Sequence, residues 1–332
     1  MQTHRSICFI VLCLLLVAMF ITDICFGSVS MRISDVWAVL SGQSTDEISR
    51  EIILNLRLPR AITAIIAGIA LSIAGLLMQT LFRNPLADPY ILGVSSGATF
   101  GVALVIMAGT LTGIYAASQW ATATAAVCGA SVVLLIVLAV SFKVRDSVSL
   151  LIVGIMLSSI AGAFVSIIQN YSNPDALKLF IVWTLGSLSA VSWQQMGALL
   201  AMVVPGIIIA FALIKTLNGL LLSEDYARSL GISIPLTRFL IILATGLMAG
   251  GVTAFTGPIA FVGVAVPHIA RGLLQSANHR SVMPCTALCG ANLLLICDLI
   301  SKTTTHNLPI STVSALFGAP VIIWIILNQK HQ

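Results

Sequence analysis

Charge is what this sequence has least of. Only 8% of its 332 residues are Asp, Glu, Lys or Arg, against about 25% in a soluble globular domain. So sparse a charge cannot keep a surface dispersed in water, which excludes an ordinary soluble protein. The net charge is +5, but Lys and Arg form no cluster or stripe, so nucleic acid is excluded as a partner. Signatures of chemistry are missing too. There is no G-x-x-x-x-G-K-[ST] loop to cradle a nucleotide, no H-E-x-x-H and no G-x-S-x-G. The seven cysteines (Cys8, Cys13, Cys25, Cys128, Cys285, Cys289, Cys297) show no C-x-x-C spacing. Nearly all lie in apolar runs and read as small hydrophobes, so no metal site, disulfide or cofactor is expected. Those runs hold almost no ionisable group except Asp23 and Asp298, near run ends. Ion-coupled carriers bury such groups as relays. Their scarcity argues against a self-powered secondary carrier and against a membrane enzyme, and no catalytic residue is assigned.

What the sequence has instead is apolar length: 58% hydrophobic residues and a mean hydropathy of +1.08. A spanning helix takes about 20 apolar residues. Runs of that kind recur at Ile7–Phe26, Ala61–Leu81, Ile91–Leu111, Ala121–Phe142, Leu150–Gln169, Trp193–Leu217, Arg238–Ala254, Ile259–Leu274, Met283–Ile300 and Leu308–Leu327. The fold class is therefore all-α, a polytopic transmembrane bundle of about ten helices. The first run follows His4 and Arg5 but no A-x-A-like cleavage site follows it, so it reads as a retained helix. The eighth is short and contains Pro267. Irregular backbone there must be buried in protein, because lipid offers no hydrogen bonds.

Ten crossings put both termini on one side. With the termini inside, ten basic residues fall on inner ends (Arg5, Arg83, Lys143, Arg145, Lys215, Arg228, Arg238, Arg271, Arg280, Lys330) and six on outer ends (Arg32, Arg50, Arg57, Arg60, Lys178, Lys302), the sense of the positive-inside rule. Gly97-x-x-x-Gly101, Gly246-x-x-x-Gly250 and the face of Ala64, Gly68 and Ser72 carry the small-residue spacing that lets helices approach closely, within one subunit or across a dimer. Asp88-Pro89 reads as a cap and first residue opening the third helix.

Two connections stand out. In Leu56-Arg57-Leu58-Pro59-Arg60, Pro59 suits a helix first turn, which would set Arg60 against the helix dipole. Both arginines also oppose the charge bias, so they read either as docking groups for an acidic partner outside or as head-group snorkels. Between the sixth and seventh runs lies Leu222-Ser223-Glu224-Asp225-Tyr226-Ala227-Arg228-Ser229-Leu230-Gly231-Ile232. It reads as a short charged helix with a glycine cap, either a knob for a partner's cleft or a plain connector.

These residues carry a resemblance. Leu56–Arg60 (LRLPR), Gln79 followed by Asn84-Pro85-Leu86-Ala87-Asp88-Pro89, and Leu92-Gly93-Val94-Ser95-Ser96-Gly97-Ala98 match one family. So do Ala227-Arg228-Ser229-Leu230-Gly231, Gly257–Gly263 (GPIAFVG), Val266–Arg271 (VPHIAR) and Leu316–Pro320 (LFGAP). In this order, over nearly the whole chain, the sequence resembles the permease subunits of binding-protein-dependent ABC importers for iron chelates (iron-siderophore complexes), haem and vitamin B12. The resemblance implies a vitamin B12 permease-like fold, one permease domain over residues 1–332, and a cytoplasmic coupling loop at 218–237. It implies a bacterial inner-membrane location, a second permease subunit (a homodimer), two cytoplasmic ATPase subunits and a periplasmic or lipid-anchored binding protein. Arg57, Arg60 and Lys302 fall at the family's binding-protein contacts. Lys302 stands where Arg is commoner, and an i,i+4 pair with Asp298 is its other reading. Glu224, Asp225, Ala227, Arg228, Leu230 and Gly231 fall on the ATPase coupling segment. His268 matches a motif position and reads as a hydrogen-bonding cap. The fifth and tenth helices are expected along the solute path, and neither run contains a charged residue.

Overall fold

The computed structural model describes residues 2–27, 31–43, 46–108, 118–144, 146–304 and 308–328. Leu111, at the end of the third apolar run, and Arg145 and Lys330 of the charge tally lie outside them. Among the described residues all regular structure is helical. The elements are α1 (Gln2–Cys25), α2 (Ile33–Leu40), α3 (Glu47–Phe82), α4 (Val94–Met107), α5 (Gln119–Ser141), α6 (Ser147–Tyr171), α7 (Pro174–Thr184), α8 (Trp193–Ala212), α9 (Ile214–Leu222), α10 (Glu224–Ser229), α11 (Ile234–Thr256), α12 (Val262–Leu274), α13 (His279–Thr303) and α14 (Ile310–Asn328). Seven helices (α1, α3, α5, α6, α8, α11, α13) are long and apolar enough to cross a bilayer, and α4, α12 and α14 add three shorter apolar ones.

The bundle is organised around α3. In its most apolar stretch 78% of residues are buried, as in α11, against 17% in α1 and α6. Helices in lipid gain little from hydrophobic contact with one another and associate by close packing. Here glycine makes that packing. A Cβ on Gly68 would run into the Gly290 carbonyl of α13, one on Gly75 into the Gly263 carbonyl of α12, and one on Gly97 or Gly101 into the α5 backbone at Gly129 or Ala125. Ser72 on the same face donates to Thr286 O at 3.1 Å. Gly246 and Gly250 pack against Leu134, Val94 and Ala130. These small-residue motifs therefore pack within the subunit.

Several boundaries differ from the sequence reading, each for a local reason. Pro59 does not open a helix. It sits inside the continuous α3, directly after a wide π-turn over Ile52–Arg57 in which Leu58 N–H reaches back five residues to Ile53 O. A proline in a regular helix would clash with the carbonyl four residues earlier, and the extra residue of the π-turn accommodates it. Leu54 O, left without the Leu58 amide, accepts Trp193 Nε1–H at 2.8 Å. Arg60 is thus not at a helix N-terminus, and the dipole penalty inferred for it disappears. Asp88 does cap, accepting Tyr90 N–H at 2.8 Å. What it caps is a 3-10 turn, Pro89–Leu92, and α4 begins only at Val94, beyond Gly93 at φ 80°. The sixth run breaks at Leu213 into α8 and α9. Helix α7 was not anticipated, although Asn173-Pro174 announces it: Asn173 Oδ1 accepts Ala176 N–H at 2.8 Å.

Thirteen residues of α12 rise about 20 Å, short of a hydrocarbon core of about 30 Å. The irregular stretch before it supplies the rest, with its backbone groups bonded to neighbours. Ile259 N–H meets Tyr90 Oη at 3.3 Å, Ala260 O accepts from Ser314 at 3.0 Å, and Thr256 O accepts Ser187 N–H at 2.7 Å.

Gly75→Val is expected to lower the melting temperature of the purified protein in detergent, because overpacking costs about 1–3 kcal/mol. Gly197→Ala, where a Cβ meets open space, is expected to hold or raise it. Thermal unfolding followed by intrinsic fluorescence checks both.

Candidate docking and coupling sites

At one end of the bundle the last turns of α1 and α13 meet the first part of α3 in a charged cluster. Arg60 Nε donates to Asp298 Oδ1 at 2.7 Å and to Oδ2 at 3.0 Å. Lys302 Nζ lies 2.8 Å from Asp23 Oδ1 and 3.6 Å from Asp298 Oδ2, and also donates to Asp23 O. Arg57 Nη1 donates to Ile24 O at 2.7 Å and Cys25 O at 2.9 Å. The last carbonyls of a helix lack intrahelical partners and sit at the negative end of its dipole, so Arg57 and Lys302 cap α1 with charge. Both are nearly buried, and Asp23 and Asp298 are fully so.

The three cations named from the sequence thus converge, and the i,i+4 pair Lys302–Asp298 is present. Part of the acidic partnership assigned to another protein lies within this chain. Asp23 completes the cluster and was not singled out for it. The available signal was depth, since Asp23 and Asp298 end two apolar runs on the side where Arg57 and Arg60 begin another. Arg57, Arg60 and Lys302 also line one cavity of about 490 Å³, with Asn55, Gln119 and Ser192 among its other walls. Three cations against two carboxylates leave this cluster net positive.

The opposite end carries the polar loop. Arg83, past the far end of α3, reaches Leu220 O of α9 at 3.4 Å. Ser223 caps α10 by accepting Tyr226 N–H at 2.8 Å. The helix closes in a Schellman pair, Ile232 N–H to Ala227 O at 3.1 Å and Gly231 N–H to Arg228 O at 2.9 Å, with Gly231 at φ 79°. The named residues divide by direction. Asp225, Arg228 and Leu230 face outward, and Ala227 is buried against Gly219 of α9. Glu224 turns inward, where Arg238 Nη2 donates to its Oε1 at 2.7 Å and Oε2 at 3.0 Å. Arg238 Nη1 also reaches Val144 O at 3.4 Å, and Ser147 Oγ reaches Glu224 Oε1 at 3.4 Å. Between them Asp146 caps α6. The Ser149 backbone and hydroxyl hydrogen bonds, helped by the Arg238 guanidinium, hold its carboxyl below the usual range. That cap stays ionised at neutral pH.

The remaining motifs are joints between helices. Arg271 Nη1 donates to Gln79 Oε1 at 2.8 Å, Gln79 Nε2 to Val264 O at 3.1 Å, and His268 Nε2 bonds Pro85 O at 2.7 Å. Gly318 of the LFGAP stretch packs on Phe261 of the GPIAFVG stretch. Among the described residues no group of three or more His, Cys, Asp or Glu side chains is placed to hold a metal ion.

Residues 14–328 match the family model described as the FecCD transport family. The chain belongs to that family. It is an ABC importer permease, a multi-pass protein of bacterial membranes. Three of its relatives cover from 83% to 97% of it. The hemin transport system permease HmuU of Yersinia pestis is 32% identical over 97% of this chain and 95% of its own length. The molybdate import system permease MolB of Haemophilus influenzae is 32% identical over 96% and 95%. The vitamin B12 import system permease BtuC of Salmonella typhi is 36% identical over 83% and 84%. Among solved structures, an inward-facing ABC transporter described as of the metal-chelate type superposes with a TM-score of 0.85. It is 31% identical and covers 97% of this chain and 99% of its own.

In this FecCD permease, Asp298→Ala would leave Arg60 without a carboxylate, holding only Ser301 Oγ at 3.4 Å, and Lys302 with Asp23 alone. Breaking a buried pair costs about 3–5 kcal/mol, so a large fall in detergent melting temperature is expected. Gly231→Ala forces a left-handed backbone on a residue with a Cβ, at about 1–2 kcal/mol. Its effect is expected as faster amide exchange confined to α10 and its flanks.

Proposed function

We propose that this permease carries an iron–siderophore complex inward across the cytoplasmic membrane, as a homodimer with both termini in the cytoplasm. A loaded binding protein docks at the outer end on Arg57, Arg60 and Lys302. Two ATPase subunits seat on the coupling loop, residues 218–237, at the inner end, through the outward face of α10: Asp225, Arg228 and Leu230. ATP binding there rocks the helices and alternates access to a path between the two copies. The observation that carries this reading is the polarity of the bundle, with a net positive cavity at one end and a capped, outward-facing helix at the other.

The cavity cations are already bonded, so docking works by exchange. A carboxylate from the binding protein competes with Asp298, Asp23 and the α1 carbonyls. Such charges speed encounter and fix register more than they add affinity.

The uncharged character of α6 and α14 supports a large, ligand-wrapped solute. Neither helix has a charged residue, and Val148, Ile152, Phe164, Tyr171, Leu316 and Phe317 stand exposed on them. An iron ion enclosed by its chelator needs no countercharge along such a wall, whereas a small oxyanion does. Vitamin B12 or haem is the second reading, favoured by what BtuC and HmuU are described as importing.

The deciding experiment is uptake by the reconstituted complex with its cognate binding protein, offered a ferric siderophore, cobalamin and hemin in turn. ATP-dependent uptake of the ferric complex is expected. Preference for another solute would replace that assignment, and uptake in vesicles without the ATPase would replace the whole reading with a self-powered carrier. Arg57→Glu with Arg60→Glu is expected to slow binding-protein association, most strongly at low salt. Leu230→Asp is expected to abolish co-purification of the ATPase.

A further inference from the structure

We propose that Arg238 is the joint that carries movement of α10 to the start of α6, and that α6 answers as a lever. The inference rests on the coupling reading above and adds which helix is moved and through which side chain.

Arg238 lies near the start of α11 with its side chain 6% exposed. Its guanidinium is the meeting point of two segments distant in sequence. One is Glu224, the first residue of α10. The other is the turn between α5 and α6, reached through the Val144 carbonyl, and Ser147 at the start of α6 donates its hydroxyl to Glu224. Asp146, which caps α6, lies within the same field. Both Glu224 oxygens accept from one guanidinium nitrogen, Nη2, while Nη1 is directed to the Val144 carbonyl. Such a charge-assisted contact is short and strong, so displacement of α10 is passed on to Val144 and Ser147.

Helix α6 is built to respond. It is among the least buried long helices. It packs tightly at Gly154, where a Cβ would run into Ile91 O and Leu92 Cα, and farther along Phe164 rests on Phe100 of α4 with ring centroids 5.7 Å apart. The Gly154 contact serves as its fulcrum. Seven residues separate Ser147 from Gly154 and seventeen separate Gly154 from Tyr171, arms of about 10 Å and about 25 Å at 1.5 Å per residue. A small shift at the coupling end becomes a movement more than twice as large at the far end of α6.

The test uses the full reconstituted complex and two readouts. The first is solute transported per ATP hydrolysed. The second is the nucleotide-dependent distance between spin labels at Tyr171→Cys in the two permease copies. Glu224→Gln keeps the shape of the side chain and removes the charge. It is expected to lower transport per ATP hydrolysed about five-fold and abolish the distance change. Glu224→Arg combined with Arg238→Glu is expected to recover much of both. Wild-type values of both readouts in Glu224→Gln overturn the proposal. If Glu224→Gln does not assemble, Arg238→Lys decides, since it keeps the charge but lacks the second nitrogen that reaches Val144 O. It is expected to lower transport per ATP about two-fold, and a wild-type ratio there overturns the proposal equally. Failure of the coupling reading itself is distinguishable, because Leu230→Asp would then retain the ATPase.

Discussion

Backbone-to-backbone contact through glycine is the constraint on which this permease is built. Surrounded by lipid, its helices cannot be driven together by the hydrophobic effect and must gain by fitting closely. Helix α3 fits on two sides at once, through Gly68 against α13 and Gly75 against α12. Its central place follows, because any other residue at those points would push a neighbouring helix away. The same contacts allow α12 to be short. With Gly263 pressed on α3 and Gly318 of α14 on Phe261, the irregular stretch at 257–261 is enclosed by protein and its amides find partners.

Close packing of apolar helices fixes distance but leaves the ends of the bundle undetermined, and there polar groups take over. At one end, Arg57 and Lys302 hold the last carbonyls of α1 while Asp23 and Asp298 neutralise most of the charge brought in. At the other, Arg238 ties α10 to the α5–α6 turn. Each set joins segments far apart in the chain, so each end responds as a unit to whatever touches it.

The comparison of sequence with structure follows the same division. The number of crossing helices, the all-α class and the packing role of Gly97, Gly101, Gly246 and Gly250 were legible because hydropathy and side-chain size are local properties. The family was legible from motifs in order. The roles of most of those motifs were not. Gln79, Pro85, His268 and Arg271 are far apart in sequence and meet only when α3 and α12 are packed.

Composition and the spacing of apolar runs alone determined that this chain lies in a membrane and crosses it about ten times, since a lipid solvent leaves a helix no other choice. Tertiary structure alone decided where each charge points. LRLPR reads as the start of a helix, yet the π-turn over Ile52–Arg57, which runs into its first two residues, keeps α3 continuous, and Arg57 reaches the end of α1. Glu224 reads as a surface group, yet Arg238 draws it inward. A long charged side chain sweeps several ångströms, and which partner it finds is settled by the helices around it.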